Sequence, residues 1–391
     1  NVFVAPTGNA FMVDIAAWLV EAGSLLGRPS ELHIDGGLPS DPDAVNLVVA
    51  PHEFYALGDF SDRQIDDAAR LSVPVCTEQP GTRWFDVSCL YCRSSEMVLD
   101  INRHGVDALI REGFDARHLR LGGVPSMDHR TPGQDRTTEV LFLGGRTEPR
   151  SRRLAELAPM LWNREVDLRM FSFNSPVSET TGGLVFGPDK YDLLADATVL
   201  LNLHRDDTMP GYFEWARMVE AMANGCCVVT EPSTGYEPLE AGVHFVESSD
   251  LSSDLASLLA DPDRCRTIGE QGAAGVLQQF PLVDTLGPIL DAIDQIEPQH
   301  SKVRWQAPRY AGRALRLEQR PLLPAFQPNT ALRERIYRAL MAETELQRRI
   351  DRTRCLHRHG VDDHVERVES PSYGSTEPEI SVVVTLFGYA H

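Results

Sequence analysis

The densest group of side chains able to do chemistry lies in a helix predicted to follow residue 212. Glu214, Arg217 and Glu220 recur there at three-residue intervals, so they share roughly one helix face. A polar loop precedes this helix, and the free N–H groups of a helix N-terminus favour a bound phosphate. Taken alone, Arg217 and Glu220 would be an intrahelical ion pair worth about 0.3–0.5 kcal/mol. The surrounding sequence must decide between that pair and a ligand site.

A second group of candidate phosphate ligands follows an apolar strand predicted over 139–143. Gly144-Gly145-Arg146 ends that strand, and Arg146 is predicted to bind phosphate, with Arg150 as the next candidate. Arg152 and Arg153 are interpreted as a solvated helix face. The two glycines do not form a Gly-x-Gly-x-x-Gly pattern, which disfavours NAD binding.

Polar side chains also follow three predicted strands in the first part of the chain. Because the carboxyl ends of parallel strands meet at one edge of a sheet, these side chains can face one cleft. A His or Glu there could deprotonate an acceptor hydroxyl, and the alternative is a helix cap or turn. The residues concerned are His52, Glu53, Glu78, Gln79, Asp100 and Asn102.

Composition limits the ligands. The formal charge of −20 over 391 residues argues against nucleic-acid binding, which needs a basic surface. No Asp-x-Asp motif or His/Cys cluster has metal-ligand spacing, and Asp206-Asp207 is interpreted as loop solvation, so no metal is expected. No apolar run approaches the roughly 18 residues of a membrane span. Seven irregularly spaced cysteines are expected to be reduced, which favours a cytoplasmic location.

The order of predicted elements divides the chain into four parts. Strands alternate with helices over 1–126 and again over 138–298, which is typical of two Rossmann-like units with parallel sheets. A helix near 282–296 is expected to close the second unit. Residues 299–376 form a linker with a basic helix at 330–355, and 377–391 begin with a buried strand. The first residue is not Met, and we expect the chain to be a piece of a longer polypeptide.

The segment 213–225 resembles the donor-site helix of GT-B glycosyltransferases. Its Arg217-Met218-Val219-Glu220-Ala221-Met222-Ala223-Asn224-Gly225 is similar to the Arg-x-x-Glu-Ala-x-Ala-x-Gly pattern of a bacterial branch with spore-coat and polysaccharide-type members. The strand after it and the loop from 235 to 242 also resemble that branch. The resemblance implies a two-domain α/β fold of GT-B type, with a cleft between a first, acceptor-binding unit and a second, donor-binding unit.

The resemblance also implies roles for individual residues. Glu220 would accept hydrogen bonds from the ribose of a nucleotide-diphosphate sugar, and Arg217 would hold the diphosphate or brace the carboxylate. Lys190 precedes a predicted helix and could reach a phosphate, although a surface position is expected for it. The donor-binding set is Gly144, Gly145, Arg146, Lys190, His204, Gly211, Tyr212, Arg217 and Glu220. Candidate catalytic residues are Glu214, His52 and Glu53, and candidate acceptor-binding residues are Glu78, Gln79, Asp100 and Asn102.

One departure from the family pattern bears on the reaction. Retaining members carry two glutamates eight residues apart, whereas Tyr212 stands eight residues before Glu220. The stereochemistry is therefore open. The expected activity is metal-independent sugar transfer, without a resident cofactor, to a glycan or glycolipid acceptor in surface polysaccharide assembly. A nucleotide-sugar epimerase of the same fold and a catalytically silent GT-B module are the alternatives.

The last part of the chain raises two further expectations. The basic helix 330–355 could contact a membrane surface or a partner, and the alternative is a solvated linker helix with Arg–Glu pairs. The run 380–390 is similar to the first strand of GT-A glycosyltransferases, which would make the natural protein a tandem enzyme.

Overall fold

A computed structural model describes residues 1–296 except 59, 132, 134, 172–183 and 208–210. The predicted linker 299–376, its basic helix 330–355 and the strand in 377–391 lie outside the described residues. Among the helices that are described, none is long and apolar enough to cross a membrane.

The first unit is a parallel sheet flanked by helices. Its strands are β1 Val2–Phe3, β2 Leu32–His33, β3 Leu47–Val49, β4 Val73–Cys76, β5 Val98–Asp100 and β6 Ala116–His118. Its helices are α1 Ala10–Leu25, α2 Pro51–Leu57, α3 Asp62–Arg70, α4 Arg83–Cys92 and α5 Arg103–Arg111. The three central strands β3, β4 and β5 are buried along their whole length, as their apolar composition requires when helices cover both faces of a sheet.

The second unit has the same architecture. Its sheet contains β7 Thr138–Gly145, β8 Val166–Phe171, β9 Ala197–Asn202, β11 Cys227–Thr230 and β13 Val246–Glu247, and a separate two-stranded ribbon pairs β10 Gly211–Tyr212 with β12 Ser233–Thr234. Its helices are α6 Glu148–Leu161, α7 Gly187–Asp196, α8 Trp215–Ala223, α9 Leu251–Leu259, α10 Pro262–Ala274 and α11 Leu282–Ile293. Short 3₁₀ and π segments occupy Pro125–Met127 and Gly275–Gln279. The prediction of two parallel α/β units is confirmed.

Strand order places the ligand sites of both units. The first sheet has the order β2-β1-β3-β4-β5-β6 and the second β13-β11-β9-β7-β8, with every pairing parallel. Each order reverses once, between β1 and β3 in the first sheet and between β7 and β9 in the second. Open α/β sheets bind ligands at the carboxyl ends of the strands flanking such a reversal. The loops after these four strands are therefore where function is expected.

A continuous buried core joins the two units. One cluster of buried apolar side chains includes Trp18 on α1, Leu200 on β9, Met218 on α8 and Leu286 on α11. Within it, Trp18 Nε1 donates to the hydroxyl of Tyr191 on α7 over 2.7 Å. An apolar interface of this kind fixes how the carboxyl ends of the two sheets lie relative to each other.

The last described helix does not simply close the second unit, as the sequence predicted. α11 packs against α1 of the first unit, and Arg28 pairs with Asp291 and Asp294 across this contact at 2.9 and 2.8 Å. The apolar stripe of α11, which includes Leu286 and Leu290, enters the core that α1 also fills. The helix thus crosses back to the first unit because that is where its apolar face is buried.

Residues 126–137, between the two predicted units, form hydrogen bonds to the second unit. Arg136 donates to the backbone carbonyls of Ala197 and Asn224. The amide of His129 donates to the Asn224 side chain over 3.0 Å, and the His129 ring contacts Asp192. Polar composition alone does not reveal such anchoring, because the partners are carbonyls at the ends of distant elements.

Candidate active site

Charged side chains tie together three neighbouring strand ends of the second sheet. Glu214, at the N-cap of α8, lies between Arg150 and Arg217 in two ion pairs. Arg217 Nη1 also donates to Asn202 Oδ1 over 2.8 Å, and Asn202 Nδ2 donates to Thr230 Oγ1 over 3.1 Å. The network therefore connects the carboxyl ends of β9 and β11 with the first turn of α6.

Arg150 belongs to the reversal point itself. Its guanidinium is buried and donates to the carbonyls of Gly145 and Leu203, which end β7 and follow β9, over 3.1 and 2.9 Å. Burial lowers its pKa to about 10 against the opposing charge of Glu214. Gly144 lies beside it, and a Cβ there would meet Arg150 Nη1. The N–H groups of the Arg150 guanidinium therefore largely donate within the protein, to Gly145, Leu203 and Glu214. Arg150 thus holds the loops after β7 and β9 in place.

The ionised form of Glu214 is favoured. Burial alone would raise its pKa, but the charges of Arg217 and Arg150 outweigh burial and hold the pKa below its ordinary value. A carboxylate held between two guanidiniums suits positioning those cations better than attacking a sugar. The ion pair considered from sequence between Arg217 and Glu220 is not formed, because Arg217 turns to Glu214 instead.

His204 and Gly211 form the next loop toward the first unit. The amide of His204 donates to Glu231 Oε2 over 2.8 Å, and its Nε2 lies 3.0 Å from the carbonyl of Pro232. A side chain at Gly211 would overlap the His204 ring, so glycine is required for this close approach. His204 and Gly211, both predicted to bind the donor, thus lie against each other in the segment that leads into α8.

Glu220 lies in a buried charge cluster at the contact between the units. Lys190, on α7, pairs with Glu220 Oε1 and donates to Asp14 Oδ2 on α1 over 2.6 Å. The side chains of Lys190, Asp14 and Glu220 are only 9%, 11% and 7% exposed. The surface position expected for Lys190 is therefore wrong, because two carboxylates from different elements hold its ammonium inside.

This cluster perturbs the titration of its members. Burial raises the pKa of Glu220 to about 7, although the Lys190 charge works in the opposite direction. For Lys190, burial lowers the pKa, but Glu220 and Asp14 outweigh it and leave the pKa above its ordinary value. One cation faces two carboxylates, so the cluster gains from any ligand that donates hydrogen bonds to it.

Arg146 and Tyr212 remain accessible at the same end of the sheet. Arg146 is exposed in the loop after β7, and no described residue forms an ion pair with its side chain. Tyr212 is half-buried, with its ring 5.1 Å from that of His104 in the first unit. Arg146 is thus the arginine of this loop that is best placed for a ligand.

In the first unit, Glu53 holds the loop after β1. It accepts hydrogen bonds from the backbone amide of Asn9, over 2.8 Å, and from the Asn9 side chain. A side chain at Gly8 would collide with its Oε2. Burial raises the pKa of Glu53 to about 7, against the two hydrogen bonds from Asn9. Glu53 therefore shapes the reversal point of the first sheet rather than facing open solvent.

His52 is buried beside Glu53 and is neutral at pH 7. Its Nδ1 lies 3.1 Å from Ser88 Oγ, its ring contacts Trp84, and its Nε2 is 3.6 Å from Glu78 Oε1. Burial lowers its pKa to about 3. The neutral imidazole of His52 can position Glu78, which it contacts. With 2% of its surface exposed, His52 has little access to a ligand itself.

Glu78 is the most open carboxylate of this group, with its side chain 20% exposed. Burial raises its pKa, and the charge of Arg205, which follows β9 in the second unit, opposes that effect. Contacts of His104 in the first unit with Thr234 and Tyr212 in the second also bring these ends of the two sheets together. Gln79, next in sequence, accepts from Thr82 through its carbonyl in the turn before α4.

Asp100 and Asn102 lie at the start of α5. Asp100 is fully buried, and its Oδ1 accepts from the Asn102 amide over 2.7 Å. Burial raises its pKa well above the ordinary value. Gly105 packs directly on the carboxyl group, so Asp100 serves the first turn of the helix. Asp100 is 0% and Asn102 6% exposed, so neither side chain faces open solvent in the cleft.

Comparisons with known proteins bear on the second unit. Residues 158–291 match the family described as glycosyl transferase-like. The match covers about a third of the chain and includes α8 with Glu214, Arg217 and Glu220, which confirms the resemblance found in that helix. No curated protein matches the sequence.

Solved structures resemble the chain only distantly. They include TarM, 11% identical over 65% of this chain and 55% of TarM, with a TM-score of 0.46. AviGT4, a glycosyltransferase involved in avilamycin A biosynthesis, is 13% identical over 75% of this chain and 97% of its own, with a TM-score of 0.44. The sucrose-phosphate synthase of Thermosynechococcus elongatus is 13% identical over 75% and 98%, with a TM-score of 0.45. The chain thus spans about half the length of TarM.

The GT-B architecture rests on the chain's own topology. Two parallel sheets with one reversal each present their carboxyl ends to each other, and the glycosyl transferase-like segment forms most of the second sheet's helices. In the described part of the chain, no group of three or more His, Cys, Asp or Glu side chains could hold a metal ion.

Three site residues were missed by sequence reasoning. Asp14 is an acid on the apolar face of α1, and that misplaced charge is a signal that could have marked it. Asn202, the last residue of β9, and Arg205 carried no comparable signal, because polar residues after a strand are common in loops.

Proposed function

We propose that the chain is a glycosyltransferase that moves a sugar from a nucleotide-diphosphate donor to a glycan or glycolipid acceptor in surface polysaccharide assembly. The second unit binds the donor and the first unit binds the acceptor. The reaction proceeds without a metal or a resident cofactor, on the cytoplasmic side of the membrane, and the basic segment 330–355, predicted to be a helix, contacts the membrane surface or a partner.

The observation that carries this proposal is the buried Glu220 within the glycosyl transferase-like segment. Its Oε1 lies against the Lys190 ammonium and has no other hydrogen-bond partner among the described residues. A carboxylate oxygen accepts hydroxyl donors, and the ribose of a nucleotide offers two of them. Donation from the ribose would stabilise a cluster that has one cation for two acids. This is the ribose role that the family resemblance implied.

Cations and helix ends near Glu220 suit the diphosphate. Arg146 stands immediately before the first turn of α6, whose N-cap is Thr147. The N-terminus of that helix and the guanidinium both favour an anion there. Because the diphosphate leaves as the glycosidic bond breaks, positive charge at this point lowers the barrier to transfer. Arg217, braced by Glu214, provides a second cation on the α8 side.

Glu78 is the base that we propose for an inverting reaction. The acceptor oxygen attacks the anomeric carbon, the bond from that carbon to the diphosphate oxygen breaks, and the acceptor proton passes to Glu78. A raised pKa and an accessible carboxylate suit this step better than the buried His52 and Glu53. In a retaining reaction, the departing phosphate would take the proton instead, and Tyr212 would stand where the family has a carboxylate.

Donor binding by the full chain tests this proposal. We would titrate a panel of nucleotide sugars by calorimetry and follow their hydrolysis, with Glu220→Gln and Glu270→Gln as matched variants. Glu270 is an exposed glutamate of α10 in the same segment. Loss of hydrogen bonds to a charged acceptor should weaken donor binding about 10- to 100-fold for Glu220→Gln only. No binding of any donor at millimolar concentration would leave a silent GT-B module as the better description.

A nucleotide-sugar epimerase is the second candidate. It is favoured by charges that meet from both units, since the charge of Arg205 in the second unit acts on Glu78, which His52 contacts in the first. The same incubation separates the two activities. An isomerised sugar nucleotide would support the epimerase, whereas slow release of free sugar without isomerisation supports the transferase.

A further inference from the structure

Two cavities lie between α5 of the first unit and the β10–β12 ribbon of the second. A cavity of about 370 Å³ is lined by Pro80, His104, Asp107, Ile110, Arg111 and Tyr212. A cavity of about 450 Å³ is lined by Arg103, His104, His118, Thr234, Gly235 and Glu237. Both volumes fall in the range of small-molecule sites, roughly 300–1,000 Å³.

His104 separates the two cavities and bridges the units. Its Nε2 lies 3.0 Å from Thr234 Oγ1, and its ring centroid lies 5.1 Å from that of Tyr212. A residue of the first unit thus forms a shared wall with two residues of the second. The cavities exist only because the two units meet.

The smaller cavity adjoins the proposed transfer site. Pro80 is two residues after Glu78, and Tyr212 is two residues before Glu214. It therefore opens between the loop that carries the proposed base and the loop that leads into the donor helix. A ligand in it lies where an acceptor must lie to reach a donor held by the second unit.

The charges on the walls of the cavities are balanced. Arg103 and Arg111 contribute two cations, and Asp107 and Glu237 contribute two carboxylates. Hydroxyl groups both donate and accept hydrogen bonds, so they suit walls that mix guanidinium and carboxylate. A phosphate gains no net attraction from walls on which each guanidinium is matched by a carboxylate.

The N-terminus of α5 is also not free for an anion. The buried Asp100 already lies under the first turn and accepts from the Asn102 amide. Its carboxyl group rests against Gly105, where any side chain would displace it. An internal carboxylate at the helix N-terminus competes with a phosphate for the same N–H groups and partial charge.

Apolar surfaces complete the smaller cavity. Ile110 is 53% exposed there, and the Pro80, His104 and Tyr212 rings lie beside it. A pyranose ring has one face of C–H groups and an edge of hydroxyls, so it packs on rings and aliphatic carbons while its hydroxyls bond to polar side chains. A lipid chain would need a wholly apolar groove instead.

We propose that these cavities bind an uncharged saccharide ring and form the acceptor subsite, with His104, Arg111 and Tyr212 as its main contacts. This inference rests on the proposed glycosyltransferase function. It defines the acceptor as the neutral sugar end of a glycan rather than as a phosphorylated group or a lipid headgroup.

The test measures saccharide and donor binding separately on the full chain. The probes are methyl β-D-glucopyranoside, N-acetylglucosamine, their β-linked disaccharides and glucose 6-phosphate, observed by ligand NMR. The variants are His104→Ala and Arg111→Ala, and Arg117→Ala is the control because Arg117 is exposed on β6 outside both cavities. Since Arg111 is an exposed residue of α5, its truncation leaves the fold intact.

We expect at least one neutral saccharide to bind with a Kd of about 1–20 mM. His104→Ala and Arg111→Ala should each weaken it about fivefold or more, with donor affinity unchanged, and Arg117→Ala should have no effect. Glucose 6-phosphate should bind no more tightly than the neutral sugar.

Three results would overturn the inference. They are no neutral saccharide bound at about 100 mM, unchanged saccharide binding in both variants, or glucose 6-phosphate binding about tenfold more tightly. Failure of the proposed function shows differently, because unchanged donor affinity in Glu220→Gln contradicts the donor role while leaving the saccharide data intact.

Discussion

Replacing Lys190 by methionine tests whether the buried charge cluster couples the two units. The variant keeps the length of the side chain but removes the cation that contacts both Asp14 and Glu220. Breaking a buried ion pair by removing one partner costs about 3–5 kcal/mol, because the remaining charge is left uncompensated. We therefore expect Lys190→Met to lose about that much free energy of unfolding at pH 8.5.

The titration of Glu220 makes the free energy of unfolding depend on pH. The folded-state pKa of Glu220 is about 7, above its ordinary value of 4.5, so the folded protein binds this proton more tightly than the unfolded chain. Stability from this group is fully present below pH 4.5 and is lost as pH rises to 7, by about 3 kcal/mol at about 1.4 kcal/mol per pKa unit. Without the Lys190 charge, the pKa rises further, so the variant should continue to lose stability above pH 7, where the wild type levels off.

Urea unfolding at pH 5, 7 and 8.5 measures both effects. Tryptophan fluorescence is a suitable signal because Trp18 is buried and bonded to Tyr191, the neighbour of Lys190. Arg63→Met is the control, since Arg63 is 93% exposed and should leave stability unchanged. Adding Asp14→Asn and Glu220→Gln to Lys190→Met should recover most of the loss. A Lys190→Met variant within about 1 kcal/mol of the wild type at pH 8.5 would refute the reasoning.

Three further changes test the site and the contact between units. Arg150→Met should lower the free energy of unfolding by about 2–4 kcal/mol, because two buried carbonyls and Glu214 lose their hydrogen-bond donor. The control Arg152→Met should lower it by less than about 1 kcal/mol, because its ion pairs are closer to the surface. Equal losses for the two variants in urea unfolding would contradict this prediction. Gly122→Ala should lower the free energy of unfolding by about 2 kcal/mol or more, since the added Cβ would meet backbone atoms of residues 280–282. Calorimetry measures this loss, and Gly37→Ala is the control because its Cβ would meet only a side chain. In the wild type, activity should fall as the pH drops through the pKa of Glu78, which lies above its ordinary value of 4.5. Glu78→Gln should abolish this acid limb of the pH–rate profile. An unchanged limb in the variant would exclude Glu78 as the base.

Residues near the strand ends show how far sequence reasoning reached. The predicted strand before Gly144 and the predicted helix containing Glu220 are both present, and Gly225, just after the C-cap of that helix, has a φ of 69°, which glycine adopts readily. Parallel strands align their carboxyl ends, so the predicted residues after different strands were expected near one edge. What each of these side chains binds was not predictable, because several polar partners are available at that edge.

Lys190 and α11 show where sequence reasoning failed. A lysine early in a helix is usually solvated, yet Lys190 is buried because Asp14, 176 residues away, reaches it from the other unit. The helix near 282–296 was assigned to the second unit by its place in the chain, but its apolar face is buried against α1. Both outcomes depend on how the two units dock.

The sequence by itself determined the two parallel α/β units, the helix around Glu220 and the polar residues at the strand ends. These follow from local rules, since buried strands need apolar runs and helices need periodic faces and end signals. Only the tertiary structure decided that Arg217 braces Glu214, that Glu53 fixes Asn9, and that His104 meets Tyr212 between the units. The reason is physical: the partner of a charged or aromatic side chain is set by the packing of elements far apart in sequence, and no local pattern records that packing.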